Sequence, residues 1–310
     1  MKSHKNNSII HIHLKGGLGN QLFQYSMGLY LSKFFNKRVL YLDQGLMQEP
    51  LSKELQKLPN SPNEFDFKTK RNYMLGDLID SNSKSNLTRA QFILIRWLSF
   101  LFPALFVIEY TPPDLTEFRI TESTKILVGY FQRHDYVCAM KTELLSAFKK
   151  STLFAGLIPS VSNSDIAVHV RYGDYSRSPH TKHHHGLTAI EYYVQAVQIL
   201  LNSSEKFQKI VIYSDESQRA FKEFVKEFGG CDIPIVTSGV SNEYDDLRGI
   251  SHSKGIVISN STFSWWAAWI GHHSIGSHVV APKPWLAKPS VFDKNLIPDG
   301  WTVLDRKIQP

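Results

Sequence analysis

Cysteine is nearly absent: 310 residues hold two, Cys138 and Cys231, far apart and in no Cys-x-x-Cys spacing. That excludes a disulfide scaffold, a zinc ribbon and a thioredoxin-type motif, and it suits a reducing compartment. Both thiols read as small buried fillers. Runs of one charge are missing as well. Thirty-five Lys and Arg against 28 Asp and Glu give +7 and a pI near 9.2, yet no block of five like charges forms a nucleic-acid-binding tail. The basic balance favours an anionic partner, whether nucleic acid, acidic lipid or a phosphorylated small molecule. No Asp-x-Asp pair occurs, so a Mg²⁺ or Mn²⁺ clamp on a diphosphate has no obvious carrier.

Long apolar runs are also lacking. Ser8–Leu14 is too short for a signal peptide and is interrupted by His11 and His13. Phe92–Ile108 falls just short of a membrane span and contains Arg96 and the helix breaker Pro103. It reads as two short apolar elements packed in the core, with contact to a membrane surface as the alternative. A composition of 42% hydrophobic and 20% charged residues excludes wholesale disorder and collagen-like repeats. The length suits one large or two medium domains.

What is present is strand–helix alternation. Ile9–Leu14 alternates, breaks at Gly16-Gly17-Leu18-Gly19, and turns helical from Asn20; Val39–Leu42 then reads as a buried strand. Residues 48–90 are poorly periodic and predict loops with short helices. Lys125–Gly129 predicts a strand, followed by helix to about Lys150, and residues 155–164 look like a linker. Beyond it, strands are predicted at Ile166–Val170, Ile210–Tyr213, Pro234–Thr237, Ile256–Ile258 and Val279–Ala281. Helices are predicted at 188–202, 216–228, 243–253 and 262–272. The pattern predicts two α/β domains of the doubly wound kind facing a cleft, 1–155 and 156–310.

Four places carry chemistry. The glycine turn at 16–19 is either a tight turn with Asn20 as helix cap or a loop whose N–H groups, Gly17 and Gly19 among them, approach an anion. At the end of strand 166–170, His169 and Arg171 share a face; Arg171 offers a fork of donors to a phosphate, and Asp174 is a candidate salt-bridge partner. Asp215, after another strand, either accepts from a guanine or ribose or caps the next helix. In Ser259–Ser264, the run Asn260, Ser261, Thr262 with Ser264 beyond Phe263 supplies more hydroxyls and N–H groups than one cap needs, which makes a pyrophosphate cradle. Trp265, Trp266 and Trp269 predict a helix buried on more than one face.

Taken together, GGLGNQLFQYS at 16–26, GYFQ at 129–132, HVRYGDY at 169–175, YSDE at 213–216, SNSTFSWWAAWI at 259–270 and VVAPKPWL at 279–286 resemble the motifs of the bacterial α-1,2-fucosyltransferases, glycosyltransferase family 11. They span nearly the whole chain. The resemblance implies a GT-B fold of two Rossmann-like domains, the first on the acceptor side and the second holding the donor. It implies GDP-β-L-fucose as co-substrate, a galactose-terminated glycan as acceptor, and no metal or other cofactor. By the same resemblance Arg171 contacts the donor β-phosphate with His169 supporting it. Asp215 and Asn260 to Ser264 hold the nucleotide, and Asn20 lines the cleft. Tyr172 stands where the family usually has a second arginine; strand alternation sends it to the face opposite Arg171.

The expected reaction is an inverting displacement at fucose C1 by a sugar hydroxyl. Asp174, Glu191 and the histidines at 180 and 183–185 are base candidates by type alone, and the histidine run reads as a solvated loop rather than a metal site. The rivals are a GDP-sugar transferase of other donor or linkage, and a non-catalytic basic nucleotide- or RNA-binding protein. The expected location is cytoplasmic, at the inner face of the membrane, on a surface-polysaccharide precursor.

Overall fold

The chain opens on a strand, β1 (Ile9–His13), whose alternate residues Ile10 and Ile12 are fully buried. This computed structural model describes residues 8–42, 73–108, 120–121, 123–154, 156–173, 183, 185–230, 232–239, 242–287 and 295–309. Contacts divide the chain into two compact units, Met1–Leu144 and Leu145–Pro310. The sequence places its linker later, at 155–164, where strand β5 (Asn163–Val170) has already begun.

In the first unit, helix α1 (Leu18–Phe35) carries the chain from β1 to β2 (Arg38–Leu42). It ends at Asn36, in the left-handed region at φ 50°, where a short polar side chain is tolerated. After α2 (Arg89–Leu98) come β3 (Phe106–Ile108), β4 (Ile126–Val128) and α3 (His134–Ala139). The four strands form one parallel sheet in the order β2-β1-β4-β3. Strand order therefore reverses beside β1, so the glycine turn after β1 and the segment after β4 flank a topological switch point.

Three expectations for this unit fail. Helix α1 starts at Leu18 with Gly17 as its cap, so Asn20 lies inside the first turn and caps nothing. The stretch 92–108 is only partly core: Phe92 is buried, whereas Ile93, Leu94, Trp97, Phe100, Leu101 and Phe102 are exposed. Hydrophobicity alone does not say which side of a ten-residue helix meets the sheet. Cys138 is exposed on α3 while its neighbour Val137 is buried, which corrects the filler reading; Cys231 lies outside the described residues.

The second unit follows helix α4 (Lys141–Lys150), within which the division falls. Its main strands are β5, β7 (Lys209–Ser214), β8 (Ile235–Thr237), β9 (Ser253–Val257), β10 (His278–Lys283) and β11 (Thr302–Asp305). All pairings in the sheet β11-β10-β9-β5-β7-β8 are parallel. From β5 the chain winds outward through β7 and β8, then returns to β9 on the other side. That is the doubly wound Rossmann order, with its switch point between β5 and β9.

Helices α5 (Ile190–Leu201) and α6 (Ser217–Phe228) cover the face that carries Ile166, Val168 and Val170. Helix α7 (Glu243–Ser251) and helix α8 (Thr262–Ile275) follow β8 and β9. Trp265, Trp266 and Trp269 of α8 are all fully buried, as a helix apolar on every side requires. A two-stranded antiparallel sheet of β6 (Leu187–Thr188) and β12 (Ile308–Gln309) was not foreseen, nor was β11. Strands this short, with β11 largely exposed, carry no hydrophobic period.

Candidate nucleotide-sugar site

In the first unit the glycine turn is built by side chains of α1. Gly16 sits at φ 79°, and a Cβ there would lie 2.9 Å from Asn20 Cβ, too close to be accommodated. The absent side chain lets Asn20 fold back over the turn, where its Oδ1 accepts from Gln132 Nε2 at 2.7 Å. Gln24 is buried and brackets the turn: its Oε1 accepts from Lys15 N at 3.0 Å and its Nε2 donates to Gly129 O at 2.9 Å. Gln21 donates to Gly16 O at 3.0 Å. The two segments at this switch point are thus bonded together. Gly17 has open space above it and Gly19 is buried within the helix. No acidic residue stands in the first turn of α1.

In the second unit, alternation along β5 sorts the motif residues. His169 and Arg171 emerge on one face and Tyr172 on the other. Arg171 Nη1 pairs with Asp215 Oδ2 at 2.8 Å, both side chains about a quarter exposed. Asp215 Oδ1 also accepts from Tyr172 N at 3.0 Å. The carboxylate is therefore a bracket on the arginine segment and does not cap α6, whose cap is Glu216. The register explains the meeting: Val170 is opposite Ser214, so the next residues of β5 and β7 leave the sheet side by side. Asp174, expected as the arginine's partner, lies outside the described residues, as do His180 and His184.

Tyr172 is buried in the α5–α6 layer, where its hydroxyl donates to Glu223 Oε2 at 2.5 Å and Arg219 stacks 4.1 Å over its ring. Arg219 in turn donates to Glu223 at 2.8 Å. Burial, and after it the hydrogen bond to this carboxylate, pushes the phenol well above its ordinary range. The aromatic at 172 thus anchors the arginine segment from behind, a role no local sequence signal announces because Glu223 is 51 residues away.

The loop after β9 crosses to His169. The His169 Nδ1 and Ser259 Oγ share a hydrogen bond at 2.9 Å, and Phe263 lies 5.4 Å from the imidazole. Helix α8 begins here with Ser261 as cap, making no side-chain capping bond, and with no acid in its first turn. Helix α7 is the contrast: Asn242 accepts from Tyr244 N and Asp245 N, and Glu243, Asp245 and Asp246 crowd its start. The positive end of α7 is neutralised internally, and that of α8 is not. Ser264 turns inward and donates to Ser261 O at 3.2 Å. Asn260 is also engaged, donating to His185 O and Trp285 O at 3.0 and 3.1 Å and accepting from Thr188 Oγ1. Thr262 is partly exposed at the helix mouth.

Arg306, which the sequence reading passed over, is fully buried; it donates to His185 O at 2.6 Å and to Gly186 O at 3.3 Å. With Asn260 it pins the segment entering α5. Glu191 lies in the first turn of that helix, and its Oε2 is buried without a hydrogen-bond partner. Among the described residues no group of three His, Cys, Asp or Glu could hold a metal ion.

Burial, reinforced by Arg171, holds His169 down to about 3, so its imidazole is neutral and acts as a support. His13 is likewise held at about 3 by burial and by Lys15, and His11 is lowered by burial and by Lys125. The unfolded chain protonates these rings near pH 6.5 while the folded chain does not. Stability is therefore greatest above that value and falls as pH drops from 6.5 towards 5. With two such protons the slope approaches about 3 kcal/mol per pH unit. Urea melts between pH 7 and 5 check this, and His169→Asn should remove about half the slope. A flat profile would contradict neutral burial.

A family model described as Glycosyl transferase family 11 matches residues 83–304, well over half of the chain. The chain belongs to glycosyltransferase family 11. This glycosyltransferase is 25% identical over 322 residues to an alpha-1,2-colitosyltransferase of Escherichia coli, across 96% of this chain and 100% of that protein. It is also 25% identical over 311 residues to the O-antigen biosynthesis glycosyltransferase WbnK of Escherichia coli, across 93% and 98%. Among solved structures, POFUT1 in complex with GDP aligns with 13% identity and a TM-score of 0.44, over 89% of this chain and 98% of that one. Membership in the family displaces the reading of this glycosyltransferase as a non-catalytic nucleic-acid-binding protein.

Proposed function

We propose that the protein transfers L-fucose from GDP-β-L-fucose to the 2-hydroxyl of a galactose-terminated glycan, with inversion at the anomeric carbon and without a metal. The reading rests on one arrangement above all. Arg171, braced by Asp215, stands at a switch point beside the mouth of helix α8, whose cap Ser261 makes no side-chain capping bond and whose first turn holds no acid. Such a place suits a leaving diphosphate, because cationic and amide donors are preset where negative charge develops. The acceptor oxygen bonds to C1 as the bond from C1 to the β-phosphate oxygen breaks. GDP departs with that electron pair, and the hydroxyl proton passes to a base. The α-1,2 linkage is supported by the name of one relative.

That same name favours a second reading, in which colitose takes the place of fucose. Thermal shift with GDP, UDP, CMP and ADP, each with and without EDTA, tests the nucleotide and the metal together. Ligand at 100 times its dissociation constant adds about 2.7 kcal/mol, a rise of several degrees. A GDP-selective, EDTA-insensitive shift is expected. A UDP preference, or a shift abolished by EDTA, would overturn the donor or the metal-free mechanism. Transfer from GDP-fucose and from a GDP-linked 3,6-dideoxy sugar then separates the two readings.

A further inference from the structure

Helix α2 is capped by its own residues and exposed where a core helix is buried. Thr88 and Gln91 form a reciprocal capping box at its start, with Thr88 N donating to Gln91 Oε1 at 2.9 Å. Helical winding continues past Leu98, because Phe102 N donates to Leu98 O at 2.9 Å. At 100° per residue, Phe100, Ile93, Trp97, Leu101 and Leu94 fall within an arc of about 120°. These five side chains are 40–68% exposed, while Phe92 and Ser99 on the other side are buried. A contiguous exposed apolar surface of this kind marks an interaction site.

Charge decides what it meets. From Ser81 to Ile108 the chain has no Asp or Glu and three basic residues, Lys84, Arg89 and Arg96. Arg89 and Arg96 are seven apart and line one edge of the apolar arc. A second copy in an antiparallel two-fold contact would set this cationic edge against itself, which disfavours that dimer. We propose that α2 and the turn after it lie in the surface of an anionic bilayer, with the apolar arc at the acyl boundary and Arg89 and Arg96 among the phosphates. Trp97, in the middle of the arc, takes the position that interfacial tryptophans favour. Among the described residues no helix is long and apolar enough to cross a membrane, so the attachment is peripheral.

Trp97 also supplies a selective probe. It is 61% exposed, whereas the other five tryptophans are at most 6% exposed. The full chain should sediment with vesicles of phosphatidylglycerol and phosphatidylcholine at low salt, and brominated phosphatidylcholine in them should quench its fluorescence. Pure phosphatidylcholine vesicles should bind far less, and 0.5 M salt should release the protein. Arg89→Gln should lower partitioning about fivefold, and Trp97→Phe should bind but lose the quenching. Failure of the wild-type chain to bind anionic vesicles would overturn the proposal. So would binding without quenching, or a dimer that Leu94→Glu dissociates while the protein ignores vesicles.

Discussion

Replacing Arg171 with alanine should lower kcat by about 10²–10³-fold while leaving the fold intact. The side chain is about a quarter exposed and its pair with Asp215 is solvent-accessible, so little packing is lost. What disappears is a fixed cation at the switch point, where the proposed function has charge growing on the departing diphosphate as the glycosyl bond breaks. A group that acts on the transition state lowers kcat and kcat/KM together, so KM should change much less than kcat. Lysine at 171 keeps the charge but not the planar fork that Asp215 orients. Arg171→Lys should therefore recover part of the activity and stay well below wild type. Steady-state kinetics, with circular dichroism melts to verify folding, decide the matter. An Arg171→Ala enzyme within tenfold of wild type would remove the arginine from the mechanism and the donor site with it.

Strand–helix alternation in the second half was legible because each buried strand ends at a change of period, as at Val170 and again at Ser259. Which face Arg171 and Tyr172 take followed from the two-residue period alone. The partnership of Arg171 with Asp215 did not, since it depends on the register of β5 against β7, which pairs Val170 with Ser214. A nearby carboxylate, Asp174, looked like the natural partner for the reason that local sequence shows only local neighbours. The partners of Asn260 were hidden on similar grounds: its amide donates to His185 O and Trp285 O, whose carbonyls approach only in the fold. Arg306 was invisible because a basic pair, Arg306-Lys307, after a short, exposed strand looks like a solvated end. The exposure of α2 is a further case, for apolar content predicts that a surface will be covered without naming the cover.

Gly173→Ala should reproduce much of the Arg171 defect without touching either charged residue. Gly173 lies at φ 22°, outside the region that residues with a Cβ adopt. A Cβ there would overlap Asp215 Oδ2 and lie 3.4 Å from Arg171 Cζ, directly against the ion pair. The obstructing atom is an end of a carboxylate held on two sides, by Arg171 and by Tyr172 N, so it can yield only by releasing one of them. Displacing a catalytic group by about 1 Å can cost about 10²-fold, and kcat should fall by roughly 10–100-fold. The substitution also adds a modest loss of stability from backbone strain. The decisive measurement is a double-mutant cycle with Arg171→Ala. If the glycine matters because it makes room for the Arg171–Asp215 pair, its replacement should add little once the arginine is gone. Full additivity would mean that Gly173 serves the reaction by another route, such as direct approach of its own backbone to the donor.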